Sequence, residues 1–202
     1  MFIDYLDTPL GLFEFMATEQ GICQAIFCGN KVCGDKVSGE KPCGNKVCGD
    51  DASANNKADS KTNNITDLCK QQLTEYFSGQ RQVFTVPLDP QSTPFQQSVW
   101  NCLTEIPFGT VKSYGDIAKM LNKPKASQAV GGANGRNPIT LIVPCHRVIG
   151  ADGSLTGYAG GIERKLWLLK HEGAKVKASD EYAQLDINNV IHKRQAKTQY
   201  LR

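Results

Sequence analysis

Apolar and polar positions alternate with a period of two over the first 28 residues. Phe2-Ile3-Asp4-Tyr5-Leu6, Leu12-Phe13-Glu14-Phe15 and Ile22 to Phe27, parted by turn signals at Thr8-Pro9, Gly11 and Gly21, predict a small antiparallel meander. A helical period begins near Thr66, the expected N-cap of a helix to about Ser78, with Leu68, Cys69, Leu73, Tyr76 and Phe77 on one face and Gly79 as stop. Val83 to Val86 reads as a strand and Pro87 to Ser92 as a linker. Thr93-Pro94-Phe95-Gln96 then carries an N-cap, a proline at N1 and a glutamine at N3, opening a helix with Phe95, Val99, Leu103 and Ile106 buried.

Two short helices follow. The first starts at Ser113 with Asp116 as capping partner and carries Ile117, Ala118 and Leu121; after Asn122-Lys123-Pro124 the second runs from Lys125 to about Gly135. Together they form a helix-turn-helix pattern. In the second helix Ala126, Ala129, Gly131 and Gly132 are small, and a mid-helix glycine costs about 1 kcal/mol relative to alanine. Such a surface either packs tightly on another helix or lets the backbone enter a narrow DNA groove. Leu141-Ile142-Val143 reads as a short strand buried on both faces, ending at Pro144-Cys145-His146-Arg147-Val148. A glycine-rich loop, Thr156 to Gly161, leads to a helix from Ile162 that packs Leu166, Trp167 and Leu169 and ends at His171-Glu172-Gly173.

The stretch from 29 to 64 has no such pattern. A pentad repeats there, Cys-Gly-Asn-Lys-Val and variants, too poor in large apolar residues to offset its ordering entropy, and it is expected to be a loosely ordered insertion. Cys28, Cys33, Cys43 and Cys48 form a C-x4-C-x9-C-x4-C array that could hold a structural zinc, but the repeat explains the spacing without a metal, so no cofactor is expected. The domains expected are 1–90 with this insertion, 91–174, and a polar tail from 175 to 202.

With 202 residues, 40% apolar and 21% charged, the chain suits one large or two small domains. No run approaches the roughly 20 apolar residues of a membrane span, Asp4 and Asp7 stand where a signal peptide would carry bases, and the eight cysteines are dispersed or repeated. A cytoplasmic protein is expected, or a nuclear one in a eukaryote. A net charge of +3 is mild, so nucleic-acid binding has to be argued from a site.

Cys145 is the candidate nucleophile. A free thiol is only a few per cent ionised at pH 7, and a nearby base or cation raises that fraction. Adjacent side chains diverge, so His146 would take the proton through a water unless the turn is sharp.

From Phe95 to Gly173 the chain resembles the O6-alkylguanine-DNA alkyltransferases. The resemblance rests on Ser113-Tyr114-Gly115, Ala129 to Ala133, Asn137-Pro138, Pro144 to Gly150, Gly157 to Gly161 and Trp167 to Gly173, in fixed order over about 80 residues. It implies a ribonuclease H-like α/β domain followed by a mostly helical, DNA-binding domain. It also implies a monomer that docks in the minor groove of double-stranded DNA, rotates out O6-alkylguanine (or O4-alkylthymine) and moves the alkyl group irreversibly to its own cysteine.

In that scheme Cys145 is the acceptor, His146 acts through water, and Glu172 orients and charges the imidazole. Asn137 braces the turn, and Tyr114 stabilises the leaving purine. Cys145 and Val148 carbonyls and the Ala159 N–H would hold the base. Ala126, Gln128, Ala129, Gly131, Arg147 and Tyr158 are the further DNA or substrate contacts expected, with Asn134 and Thr140 as pocket walls.

One position departs from the family. Gln128 stands where an arginine usually fills the gap left by the rotated base, which implies weaker extrusion or weaker affinity. Two other functions stay open: a relative that binds lesions without repairing them, which would lack the acceptor thiol, and a Cys-His hydrolase, disfavoured because the thiol ends a strand and does not open a helix and because the helix-turn-helix would be unexplained.

Overall fold

The computed structural model describes residues 1–28 and 61–176. The repeat cysteines Cys33, Cys43 and Cys48, and with them the array that could hold a zinc, lie outside these residues, as does the tail beyond 176.

The meander forms as the alternation predicts. Strands β1 (Phe2–Thr8), β2 (Gly11–Ala17) and β3 (Ile22–Phe27) pair antiparallel in the order β1-β2-β3. Phe13 and Phe15 are fully buried against α1 (Asn64–Phe77), whose Cys69, Leu73 and Tyr76 face them. Leu68 lies on the exposed side, and Gln72 is buried in its stead.

The helix is capped by Asn63 and not by Thr66. The Asn63 side chain accepts from the Ile65 and Thr66 N–H groups while the Thr66 hydroxyl completes the capping box from N3, the position from which reciprocal donation is possible. Residues 61–64, which the sequence places in the insertion, belong to the fold: Lys61 bridges to Ile3. Val83 to Val86 is no strand either. Gln72 Oε1 accepts from the Thr85 N–H at 2.8 Å and from the Val86 N–H, and its amide donates to Thr85 Oγ1. One side chain thus supplies what a neighbouring strand would have.

The outer edge of β3 is covered by later chain, which disposes of an open sheet edge. Ile22 exchanges backbone hydrogen bonds with Pro87 and Asp89, and Ala25 with Pro138 and Thr140. The second contact ties the sheet to the segment that leads into Cys145.

Helix α2 (Pro94–Thr104) has Thr93 as N-cap and Gln96 as its reciprocal partner, as the sequence predicts. Its buried face is Val99, Trp100 and Leu103, and Trp100 Nε1 donates to the Ala133 carbonyl of the next helix pair at 2.9 Å. After the two-residue strand β4 (Lys112–Ser113) come α3 (Tyr114–Met120), capped by Ser113 and Asp116, and α4 (Ser127–Gly135), which starts two residues later than predicted.

Leu141-Ile142-Val143 is a tight turn and not a strand: Leu141 has φ +73°, and Thr140 and Val143 bridge to each other. Cys145–Arg147 then form a single 3₁₀ turn, and β5 (Val148–Ile149) pairs in parallel with β4. Helix α5 (Ile162–His171) closes the described chain, burying Leu166, Leu168 and Leu169, with Trp167 only partly covered. The whole is a mixed α/β molecule, an N-terminal sheet with one helix and a C-terminal helical part. Among the described residues no helix is long and apolar enough to cross a membrane.

Candidate active site

Three elements bring the reactive residues together. The Leu141–Val143 turn delivers Cys145 and starts the 3₁₀ turn, so the thiol opens a helical turn where the sequence had it end a strand. Asn137 holds that turn from inside: its Nδ2 donates to the Val143 carbonyl at 2.8 Å and to Ile139, and its Oδ1 accepts from the Ile139 N–H.

The end of α5 delivers Glu172. Gly173 takes φ +72°, the Gly173 N–H donates to the Lys170 carbonyl and the Ala174 N–H to that of Leu169, which stops the helix with Glu172 as its C-cap. Gly109 makes room for it. A Cβ there would lie 2.6 Å from the Glu172 carbonyl oxygen, and φ is +74°.

Glu172 is the hub of the buried charges. His146 Nε2 lies 2.8 Å from Oε1, Arg147 Nε donates to Oε2 at 2.8 Å and Nη2 to Oε1 at 3.0 Å, and the Gly109 N–H reaches Oε2. Burial works against the carboxylate, but donation from His146 and Arg147 outweighs it and holds Glu172 well below the usual carboxylate range.

The sequence reading has Glu172 orient and charge the imidazole. It is bonded to the ring and favours the charged form, but burial is the larger effect and lowers the His146 pKa, and Arg147 and Lys165 add to the lowering. A neutral His146 beside an ionised carboxylate carries its proton on Nε2, leaving the Nδ1 lone pair as base. That Nδ1 makes no hydrogen bond to any described residue, the Cys145 thiol included.

Cys145 is 3% exposed, and burial raises its pKa, with the Asn137 side chain and the charge of Lys165 acting the other way. Sequence reasoning missed Lys165, a lysine on a helix that reads as surface. It is fully buried, donates to the Val148 carbonyl at 2.5 Å and the Thr156 carbonyl at 2.7 Å, and burial lowers it to about 8. Its only sequence signal is its place between Arg164 and Leu166, two further buried residues.

The expected contacts divide into two groups. Tyr114, Gly131 and the glycine loop converge: a Cβ on Gly131 would lie 3.8 Å from the Tyr114 ring, and the Tyr114 hydroxyl donates to the Thr156 carbonyl at 3.3 Å. Gln128, Ala129 and Ala159 are exposed, with Ala126 half-buried. Tyr158 is buried, edge-on to His146 with ring centroids 6.4 Å apart.

Arg147 is not a surface contact for DNA. It is 6% exposed, its Nε and Nη2 serve Glu172, and Nη1 donates to the Ile106 carbonyl at 2.6 Å. Three buried acceptors outcompete a groove it cannot reach. The Val148 carbonyl accepts from Lys165, and that of Cys145 from the Val148 N–H and Asn134 Nδ2. The Thr140 hydroxyl donates to Ala25 in β3.

Known proteins match both halves of the chain. Residues 1–90 match the ribonuclease-like domain of 6-O-methylguanine DNA methyltransferase and residues 94–174 its DNA-binding domain. A methylated-DNA--protein-cysteine methyltransferase of Methanosarcina acetivorans is 60% identical over 103 residues, 51% of this chain and 66% of its own length. One of Shigella flexneri is 55% identical over 102 residues, 50% of this chain and 60% of its own. The alignments thus span about two thirds or less of these curated relatives.

A solved structure covers more. The crystal structure of Mycobacterium tuberculosis OGT in complex with DNA superposes with a TM-score of 0.67 and 36% identity, covering 85% of this chain and 92% of that one. Two domains matched in order, and a solved relative matched over nearly its whole length, place this chain in the 6-O-methylguanine DNA methyltransferase family.

Proposed function

We propose that this protein repairs DNA by moving an alkyl group from guanine O6, and from thymine O4, onto the sulfur of Cys145 in a single irreversible turnover. The observation that carries the reading is a buried cysteine beside a histidine whose Nε2 is committed to an ionised carboxylate, leaving Nδ1 to accept a proton. The names of the relatives, and the DNA in the mycobacterial crystal, support the same substrate.

The thiol proton passes through a water to His146 Nδ1, and the thiolate attacks the alkyl carbon in line. The new S–C bond forms as the C–O6 bond breaks; the leaving purine anion is stabilised by the Tyr114 hydroxyl and takes a proton from water, and His146 returns its own to water. No cofactor enters. The thioether leaves Cys145 without a thiolate, so the protein is consumed.

Residues 1–90 and 91–174 act as two domains in this reading, with α3 and α4 as the helix-turn-helix that presents Gln128, Ala129 and Gly131 to the minor groove of duplex DNA carrying a rotated-out base. The protein works as a monomer in the cytoplasm. Exposed Gln128 would fill the vacated stack with less stacking and no charge. Gln128→Arg should repair duplex DNA faster than the parent and single-stranded DNA equally fast.

Mass spectrometry after incubation with O6-methylguanine DNA tests the function. A gain of about 14 Da on Cys145, lost in Cys145→Ser, is expected. An unmodified protein in a stable DNA complex would instead mark a lesion binder, and repeated turnover of an ester or peptide a hydrolase.

A further inference from the structure

This inference rests on the alkyl-transfer reading and concerns a residue outside the C-terminal part. Tyr76 sits on α1, yet its hydroxyl donates to Glu172 Oε1 at 2.7 Å, across 96 residues of sequence. The ring is 0% exposed and held on several sides: Phe77 and Phe108 edge-on, Phe84 tilted across it, and His171, whose Nε2 meets the Tyr76 carbonyl at 2.8 Å. Burial and the adjacent carboxylate keep the phenol protonated, so it donates.

Oε1 therefore serves Tyr76, His146 and Arg147 Nη2, while Oε2 serves Arg147 Nε and the Gly109 N–H. An ionised carboxylate has about four lone-pair sites, so five donors weaken one another. We propose that Tyr76 is a positioning residue whose hydroxyl competes with His146 for Glu172 Oε1 and so sets how readily His146 Nδ1 takes the Cys145 proton.

The groups that face His146 leave Tyr76 room to act. Arg147 in the same turn and Lys165 on α5 disfavour the imidazolium, and the buried phenol of Tyr158 stands edge-on to the ring. Cys145 precedes it in the turn, and Glu172 at the end of α5 is the group that favours the imidazolium. His171 lies beyond Tyr76, stacked on Trp167. Removing the Tyr76 hydroxyl frees Oε1 for the His146 N–H, which stabilises the imidazolium and raises the proton affinity of the ring.

The test is single-turnover methyl transfer from O6-methylguanine duplex DNA against pH, on the full chain, with the His146 imidazole titrated by NMR. The chain has only three histidines, which makes the assignment tractable. In Tyr76→Phe the acid limb and the imidazole midpoint should both rise by about one pH unit, a tenfold gain in proton affinity. Phe84→Leu, in the same aromatic cluster without a hydrogen bond to Glu172, should keep the parent's limb.

A site-specific 3-fluorotyrosine at position 76 has the same shape and a more acidic O–H, and should shift the limb down. The proposal is overturned if Tyr76→Phe folds and keeps both parental midpoints, or if Phe84→Leu shifts as far. Should Tyr76→Phe fail to fold, the fluorotyrosine protein decides, and an unmoved limb there overturns it. If the parent itself transfers no methyl group, the alkyl-transfer reading fails, while the imidazole titration still reports on Tyr76.

Discussion

Arg147 gives the sharpest test of the site, because a role inside the protein and a role on DNA predict opposite results. The guanidinium makes two hydrogen bonds to Glu172, one to the Ile106 carbonyl, and lies over the Phe108 ring at 5.8 Å. Arg147→Met keeps much of the volume but strands the carboxylate. Removing one partner of a buried ion pair costs about 3–5 kcal/mol, against a whole-domain stability of about 5–15 kcal/mol.

With a urea slope of about 2 kcal/mol/M, the unfolding midpoint should fall by roughly 2 M. Adding Glu172→Gln removes the stranded charge, so the double variant should be less destabilised than the sum by about 1–3 kcal/mol. Binding to undamaged duplex, followed by fluorescence anisotropy against salt, should keep the parent's slope, whereas a lost phosphate contact would lower that slope by about one. A parental urea midpoint together with a reduced salt slope would refute the internal role.

Three further outcomes follow from the same geometry. The His146 pKa is depressed by burial, so between its folded value and the ordinary 6.5 the unfolded chain binds more protons; stability should be lost as pH falls below about 6.5, and His146→Gln should flatten that part of the urea-midpoint profile. Lys165→Met removes the cation that favours the Cys145 thiolate and should slow methyl transfer at pH 7 about tenfold, with the alkaline limb moved up in a stopped-time assay. Gly109→Ala puts a Cβ 2.6 Å from the Glu172 carbonyl at a positive φ and should lower the thermal midpoint and slow transfer together, because the displaced backbone carries the carboxylate with it.

The legible parts of the fold are those specified by neighbours in sequence. Thr93 with Gln96 and Ser113 with Asp116 announce α2 and α3 because a capping box closes within four residues. The start of α1 is ambiguous in sequence because Asn63 and Thr66 both fit a cap and only the reciprocal geometry ranks them. Val83 to Val86 has the composition of a strand, but its partner is the Gln72 side chain, which no pattern of its own residues reveals. Leu141 to Val143 is apolar because it is buried at the junction with β3 and not because it lies in a ladder. In the site, Cys145, His146 and Glu172 could be singled out by their motifs, whereas the place of Arg147, Lys165 and Tyr76 depends on long-range packing.

The cluster around Glu172 is poor evidence of a device for stability, since an apolar replacement of a buried ion pair is often neutral or better. Its arrangement makes more sense as chemistry. An imidazole alone could present either nitrogen, and near a free carboxylate it would be protonated and unable to accept. Burial, with the positive charge of Arg147 and Lys165 beside it, keeps His146 uncharged, and Glu172 fixes the Nε2–H tautomer, so the lone pair stays on Nδ1. Burial holds the thiol protonated until that base acts, which suits the single irreversible transfer proposed for it.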